Sequence, residues 1–193
     1  MNYLAHLFLS RQHPDAVMGN FLTDMMTISE IKKWPGKFDS GVLLHRRIDA
    51  FTDRHEANIT MKRILRPYFH KYAGVALDLY YDYILGQNWE LYSDMSFPVF
   101  TQTQYHIFQS HEDAIPSRLQ IVVKRMIAGD FLHRYITIGG QAFAFSSMDR
   151  RARFETGFEK AIEVLELHMD DLTKHFHLFF PDMMESAESF LNG

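Results

Sequence analysis

The clearest helical pattern in this sequence is Gly41-Val-Leu-Leu-His-Arg-Arg-Ile-Asp-Ala-Phe-Thr-Asp53. Leu44, Ile48 and Phe51 recur at intervals of four and three residues, which places them on one apolar stripe of an α-helix. A neighbouring stripe of the same helix is polar and consists of His45, Asp49, Thr52 and Asp53. A polar stripe beside the stripe that faces the core predicts a cleft, where these side chains are partly withdrawn from water.

The rest of the chain has the same helical periodicity, and no Asn-Gly or Asp-Gly hairpin signal lies between alternating runs. Pro and Gly residues are expected to interrupt the helices at Pro35-Gly36, Pro98, Pro116, Gly139-Gly140 and Pro181. Gly139-Gly140 is predicted to form a plain turn rather than a phosphate loop, because no strand precedes it and no Lys-Ser/Thr follows. Helices are predicted at about 2–10, 15–26, 38–55, 57–68, 71–92, 98–111, 117–128, 152–179 and 182–191. These segments predict an all-α, single-domain helical bundle over residues 1–193.

Composition excludes several classes of function. The net charge of −4 provides no global basic field for nucleic acid or an anionic membrane. No apolar run reaches the length of about 18 residues that a membrane span needs, and the first ten residues lack the basic leader of a signal peptide. We therefore expect a cytoplasmic protein. Because the chain has no cysteine, any metal must be held by His, Asp, Glu or Asn.

Four segments place two polar side chains at i and i+4, on one face of a helix. These pairs are Asn2 with His6, Asn20 with Asp24, His45 with Asp49, and Asp78 with Asp82. Several helices that each offer two such groups can converge on one metal or phosphate. The pairs are equally compatible with solvated helix faces, with Asn2 as a helix cap and with His6 as a buried core histidine.

Several of these motifs together resemble the acyl carrier protein phosphodiesterase family. The resemblance is carried by Asn2-x-Leu-Ala-His-Leu7, Gly19-Asn-x-x-x-Asp24, Gly41-x-x-x-His-Arg-x-Ile-Asp-x-x-Thr-Asp53, Asp78-x-x-x-Asp-x-x-Leu-x-x-x-Trp89 and Leu172-x-x-x-Phe-x-x-Phe-Phe-Pro-x-Met-Met184. It covers the first half of the chain and returns near the end, while residues 93–145 carry little of it. Many members have Asp-His where this chain has Asp82-Tyr83, and a basic residue soon after the Asp24 position, where this chain reads Met25-Met26-Thr27.

The resemblance implies an activity and a fold. Members of that family remove the 4′-phosphopantetheine arm from holo acyl carrier protein by hydrolysing its phosphodiester to a serine, which returns the apo carrier. They are helical and manganese-dependent, and are thought to be distant relatives of the HD-type metal phosphohydrolases. An HD-domain-like bundle and the same reaction are therefore expected here. The alternatives are an HD-type enzyme acting on a small phosphate ester or nucleotide, and a non-catalytic helical binding module.

Charge chemistry assigns roles to individual residues under this hypothesis. A divalent ion neutralises the phosphodiester and lowers the pKa of a bound water. Carboxylates and imidazoles suit Mn²⁺ or Mg²⁺, and the resemblance to a manganese-dependent family favours Mn²⁺. The expected metal ligands are Asp24, His45, Asp49 and Asp82. His6 or Asp53 is expected to orient a ligand or to act as general acid or base, and Arg46 is expected to hold the phosphate with its forked donors.

An acidic carrier protein is not attracted to a chain of net charge −4 as a whole, so docking requires a local basic rim. Three basic groups are available, at residues 32–37, 62–66 and 150–153. We expect Lys32 and Lys33, together with Arg150 and Arg151, to contact the carrier. The first pair closely follows Asp24, and the second follows a predicted turn that can fold back over the site.

Overall fold

A computed structural model describes residues 1–193 and contains α-helices and short 3-10 helices without any β-strand, which confirms the predicted all-α class. The helices are α1 (Tyr3–Ser10), α2 (Pro14–Leu22), α3 (Ile28–Lys33), α4 (Asp39–Arg54), α5 (Glu56–Phe69), α6 (Ala73–Gln87), α7 (Phe97–Ser110), α8 (Ser117–Ala128), α9 (Phe131–Tyr135), α10 (Ile138–Asp149), α11 (Ala161–Leu167) and α12 (Met169–Asn192). No helix combines the length and the apolar composition needed to cross a membrane.

Helix α1 lies at the centre of the fold. Every residue from Leu4 to Ser10 is buried, as expected for a helix that is apolar on nearly all sides. Helices α2, α4, α6, α9 and α12 pack around it. A polar residue on such a helix needs a partner within the protein, because water does not reach it. His6, a buried polar residue on this helix, therefore needs such a partner.

Two glycines allow α2 and α4 to cross at very short range. The Cα atoms of Gly19 and Gly41 face each other, and a Cβ atom built on Gly41 would lie 2.2 Å from a backbone oxygen of α2. Real side chains do not fit at that distance, so only glycine permits this crossing. The contact brings Asn20, the residue after Gly19, next to His45, which lies one helical turn beyond Gly41.

The structure corrects three local predictions. Gly139-Gly140 lies inside the first turn of α10, where the Thr137 side chain accepts a hydrogen bond from the Gly140 N–H at 3.1 Å, so the predicted turn is wrong. The predicted helix over 152–179 is divided, because 152–157 is irregular and α11 and α12 follow separately. Pro181 does not end a helix. It lies within α12 on an exposed side, where the carbonyl that it leaves free can bind water.

Two short helices, α3 and α9, were not predicted. Helix α3 is only six residues long, and its apolar content is too low for a clear periodic pattern. It is stabilised by a capping box, in which Thr27 and Glu30 exchange side-chain and backbone hydrogen bonds. Arg118 of α8 then pairs with Glu30 at 2.6 Å, which ties α3 to the second half of the chain.

Candidate metal centre

Four side chains from three parts of the chain converge beside the buried helix α1. His6 comes from α1, His45 and Asp49 come from consecutive turns of α4, and Asp24 comes from the 3-10 turn Thr23–Met25 that follows α2. The Nε2 atom of His45 lies 3.0 Å from Asp24 Oδ1 and 3.3 Å from Asp49 Oδ2, and His6 Nε2 lies 3.4 Å from Asp49 Oδ1. His6, His45 and Asp49 each direct one ligand atom to within 4.8 Å of the others.

Asn20 holds both imidazole rings in place. Its Nδ2 donates to the His6 carbonyl oxygen at 2.7 Å, which fixes the orientation of the amide, so that Asn20 Oδ1 accepts from His6 Nδ1 at 2.6 Å. The Asn20 backbone oxygen accepts from His45 Nδ1 at 2.9 Å. Each histidine therefore carries a proton on Nδ1, and its Nε2 faces the cluster. This is the usual way in which an outer residue orients a metal-binding histidine.

The donor set fits a divalent cation. The Nε2 atom of His6 is buried and has no hydrogen-bond partner, yet it faces the negative Asp49 carboxylate. The two imidazole rings are stacked, with centroids 4.3 Å apart and planes 18° from parallel. A lone pair opposite a carboxylate is unfavourable unless a proton or a cation lies between them. A cation bound by both Nε2 atoms and the carboxylates satisfies all of these groups at once.

The electrostatics of the metal-free cluster agree with this geometry. Burial alone lowers the pKa of His45, but the Asp24 and Asp49 carboxylates outweigh that effect and raise this pKa to about 9. The pKa of Asp24 is lowered, chiefly by its contact with His45. Burial raises the pKa of Asp49, but the contact with His45 outweighs that effect, and the pKa falls well below its usual range. Burial dominates at His6 and lowers its pKa, so His6 remains neutral and able to act as a ligand.

Asp82, which was predicted as a fourth ligand, does not join this cluster. Its two carboxylate oxygens accept hydrogen bonds from the backbone N–H groups of Leu4 and Ala5, at 2.9 and 3.0 Å. It therefore caps the N-terminus of α1 from a distant helix, a role that Asn2 at the N-cap position does not fill. Asp82 is fully buried, and this burial raises its pKa to about 7 against the opposing effect of the two N–H donors.

A family model described as acyl carrier protein phosphodiesterase matches residues 1–183. This chain belongs to the acyl carrier protein phosphodiesterase family. Relatives that carry the same name include proteins from Photorhabdus laumondii subsp. laumondii, 27% identical over 190 residues, and Serratia proteamaculans, 28% identical over 193 residues. The alignments cover 98% and 97% of this chain, and 96% and 98% of the two relatives. No solved structure matches this chain significantly.

The remaining acidic residues of the family motifs lie around the cluster rather than in it. Asp53 is exposed at the end of α4, and its Oδ1 accepts from Lys62 Nζ at 2.6 Å. Asp78 lies 3.2 Å from the amino group of Met1, which in turn lies 3.9 Å from Asp49. Asp53 therefore lies one helical turn beyond Asp49, and the Met1 amino group lies between Asp49 and Asp78.

The basic residues that were expected to bind the carrier are all exposed. Arg46, which was expected to hold the phosphate, directly follows His45, is also exposed, and makes no hydrogen bond or ion pair. Lys32 and Lys33 end α3 and make no ion pair. Arg150 donates to the Ser146 hydroxyl at 2.8 Å. The pKa of Tyr3 is raised to about 12, chiefly by burial. Asp24 contributes to this rise and Arg151 opposes it, so Tyr3 lies within electrostatic reach of both.

The role of Asn20 is what sequence reasoning missed. The residue had been grouped with possible ligands because it precedes Asp24 by four positions. A helical pattern shows which side chains share a face, but it does not show that two histidines from other helices approach the same asparagine. The adjacent Gly19 was the available signal, since a glycine inside a helix marks close approach of another backbone.

Proposed function

We propose that this protein is a divalent-metal-dependent phosphodiesterase that releases 4′-phosphopantetheine from a holo acyl carrier protein. The observation that carries the proposal is the convergence of two oriented Nε2 atoms with the carboxylates of Asp24 and Asp49. The family match supplies the substrate class, because the relatives are named for a phosphodiester carried by the acyl carrier protein.

We propose His6, Asp24, His45 and Asp49 as the residues that hold the metal. Two imidazoles, two carboxylates and no thiolate suit Mn²⁺ better than Mg²⁺, which prefers oxygen ligands and retained water. When bound, such an ion supplies positive charge to the phosphodiester and lowers the pKa of water near it. Asp82 is left out of this ligand set because both of its oxygens already accept hydrogen bonds from α1.

The protein itself contributes orientation, charge and proton transfer. Asn20 keeps both Nε2 atoms directed at the metal position. Arg46 directly follows His45 and is exposed, and its free guanidinium can hold the phosphate oxygens in a forked geometry. Neutral His6 has no proton on Nε2 to donate, so we propose it as a ligand. Asp53, the other candidate, already accepts from Lys62 at 2.6 Å and lies outside the cluster, so we propose that water supplies the proton for the serine oxygen that leaves.

The exposed bases around the cluster support docking of an acidic carrier. Lys32, Lys33, Arg150 and Arg151 form no ion pair, whereas Lys62 is neutralised by Asp53. Free cations at a rim steer an acidic partner and fix its orientation without requiring net attraction between the whole molecules. We propose these four residues as contacts to the holo carrier, that is, to the carrier protein or to the arm attached to it.

The test is incubation with holo carrier protein and Mn²⁺, followed by the intact mass of the carrier. We expect the wild type to remove the prosthetic group, and Asp24→Ala and His45→Ala to lose turnover and Mn²⁺ binding while remaining folded, because each removes a ligand. Asp170→Asn, an exposed acid in the first turn of α12, is the control and should retain activity. A wild-type enzyme that leaves the carrier intact but hydrolyses a small phosphate ester or nucleotide contradicts the proposed substrate.

A further inference from the structure

A large groove opens beside the metal centre, on the second half of the chain. It has a volume of about 640 Å³, within the range of about 300–1,000 Å³ that is usual for sites of small ligands. Helices α8, α9 and α10 form its walls, and most of the side chains that line it are apolar. They include Val122, Met126, Phe131, Phe143, Ala144 and Met148. We call this space the α8–α10 groove.

The groove begins where the metal centre ends. Met25 lines the groove and directly follows Asp24 in the chain. Tyr3 also lines it and lies one helical turn before His6 on α1. These two residues therefore place one end of the groove next to the cluster.

The groove is positively charged as well as apolar. Arg125, Arg134 and Arg151 are among its lining residues, no lining residue is acidic, and none of the three arginines forms an ion pair. The guanidinium of Arg134 lies over the Phe143 ring at 5.5 Å, and Arg151 Nε donates to the Ser147 carbonyl at 3.0 Å. Each guanidinium therefore keeps free N–H groups that can donate to carbonyl or phosphate oxygens.

We propose that the α8–α10 groove binds the pantetheine arm of the substrate, an inference that rests on the proposed phosphodiesterase activity. A phosphodiester joins two substituents, here the serine of the carrier and the arm, which must leave the metal centre in different directions. The arm carries methyl groups, two amides, a hydroxyl and a thiol, and it has no positive charge. The apolar floor suits its methyl groups, and the arginine N–H groups suit its amide carbonyls and the phosphate.

This assignment separates the roles of two neighbouring arginines. Arg151 lines the groove and contacts the arm, whereas Arg150 is held on the outer surface by the hydroxyls of Ser146 and Ser147 and faces the carrier. The two parts of the substrate then bind at different places. The carrier protein contacts the charged surface, and the arm occupies the groove.

Ala144→Phe tests the proposal, with Ala142→Phe as its matched control. Ala144 lines the groove, whereas Ala142 is exposed on the same helix and does not. The larger side chain at 144 should reduce kcat/KM for holo carrier protein by at least about tenfold, as misfit in a substrate pocket commonly does. Hydrolysis of methyl 4-nitrophenyl phosphate, which lacks the arm, should remain near the wild-type rate with Mn²⁺, and Ala142→Phe should resemble the wild type on both substrates.

A calorimetric titration with 4′-phosphopantetheine measures the groove independently of turnover. We expect binding to the wild type and to Ala142→Phe, and loss of binding in Ala144→Phe with an unchanged circular dichroism spectrum. If the wild type cleaves no carrier, the proposed function fails, and binding of 4′-phosphopantetheine that Ala144→Phe abolishes still supports the groove. If the wild type cleaves the carrier and the two phenylalanine variants behave alike, the groove assignment is overturned while the proposed function stands. Equal loss of both substrates in a folded Ala144→Phe also overturns it.

Discussion

Asn20→Ala is the change that examines the metal centre most directly without touching a proposed ligand. Asn20 is 1% exposed and makes three hydrogen bonds that organise the cluster. Two of them, from its Nδ2 to the His6 carbonyl and from His6 Nδ1 to its Oδ1, are made by the side chain and are lost in the variant. The third, from His45 Nδ1 to its backbone oxygen, remains. The variant therefore frees the His6 ring and leaves the His45 ring oriented.

The structure provides the expected magnitudes. One buried group of His6, the Nδ1–H, loses its only partner, and such a loss costs about 1–3 kcal/mol, whereas the His6 carbonyl oxygen still accepts from the Ser10 hydroxyl at 3.0 Å. We expect the free energy of unfolding of the metal-free protein to fall by about 1–3 kcal/mol. Loss of an outer residue that orients a ligand typically lowers metal affinity by about 10–100-fold, so Mn²⁺ binding should weaken by that factor.

The control for this prediction is Asn58→Ala. Asn58 is also fully buried, and its Nδ2 donates to the Thr52 carbonyl at 2.9 Å, away from the cluster. Urea unfolding with a chelator present measures stability, and calorimetric titration with Mn²⁺ measures affinity. We expect both variants to be destabilised but only Asn20→Ala to bind Mn²⁺ more weakly. If the two variants bind Mn²⁺ equally well, Asn20 does not orient a metal ligand, and the reasoning is refuted.

Three further predictions concern packing, protonation and docking. Gly41→Ala should destabilise the fold and weaken Mn²⁺ binding, because the new Cβ would lie 2.2 Å from a backbone oxygen of α2. Gly74→Ala is the control, since a Cβ there has nothing within 4 Å, and it should be neutral or stabilising in thermal melts. Equal effects of the two substitutions would contradict the close crossing of α2 and α4. The folded-state pKa of His45, about 9, exceeds its ordinary value of 6.5, so its contribution to stability is complete below pH 6.5 and declines as the pH rises to about 9. Metal-free urea titrations should show this decline in the wild type and not in His45→Gln, and an unchanged slope in the variant excludes His45 as its source. Reversing Arg150 to Glu, which leaves the groove-lining Arg151 in place, should raise KM for the carrier and flatten the salt dependence of kcat/KM while sparing methyl 4-nitrophenyl phosphate, and equal loss on both substrates argues against docking.

The helical class and one half of the cluster could be predicted from local sequence. The spacing of His45 and Asp49 places both on one face of α4 whatever surrounds the helix, because the helical repeat is set by the backbone alone. The apolar stripe of the same helix fixed which side would face the core. Short-range rules failed at two places. A turn was expected at Gly139-Gly140 and a helix end at Pro181, but the structure has a helix at both. Local propensities are weak, and tertiary packing overrides them.

Only the tertiary structure decided which of the predicted residues join the cluster and which support the fold. Asp78 and Asp82 have the same spacing as His45 and Asp49, yet Asp82 accepts hydrogen bonds from the start of α1 and does not reach the cluster. A spacing of four determines that two side chains share a face, but not what that face meets. What the face meets depends on how helices that are distant in the sequence pack against each other, as α2 and α4 do at their glycine crossing. The reason is that the backbone N–H or imidazole that a carboxylate contacts belongs to another part of the chain.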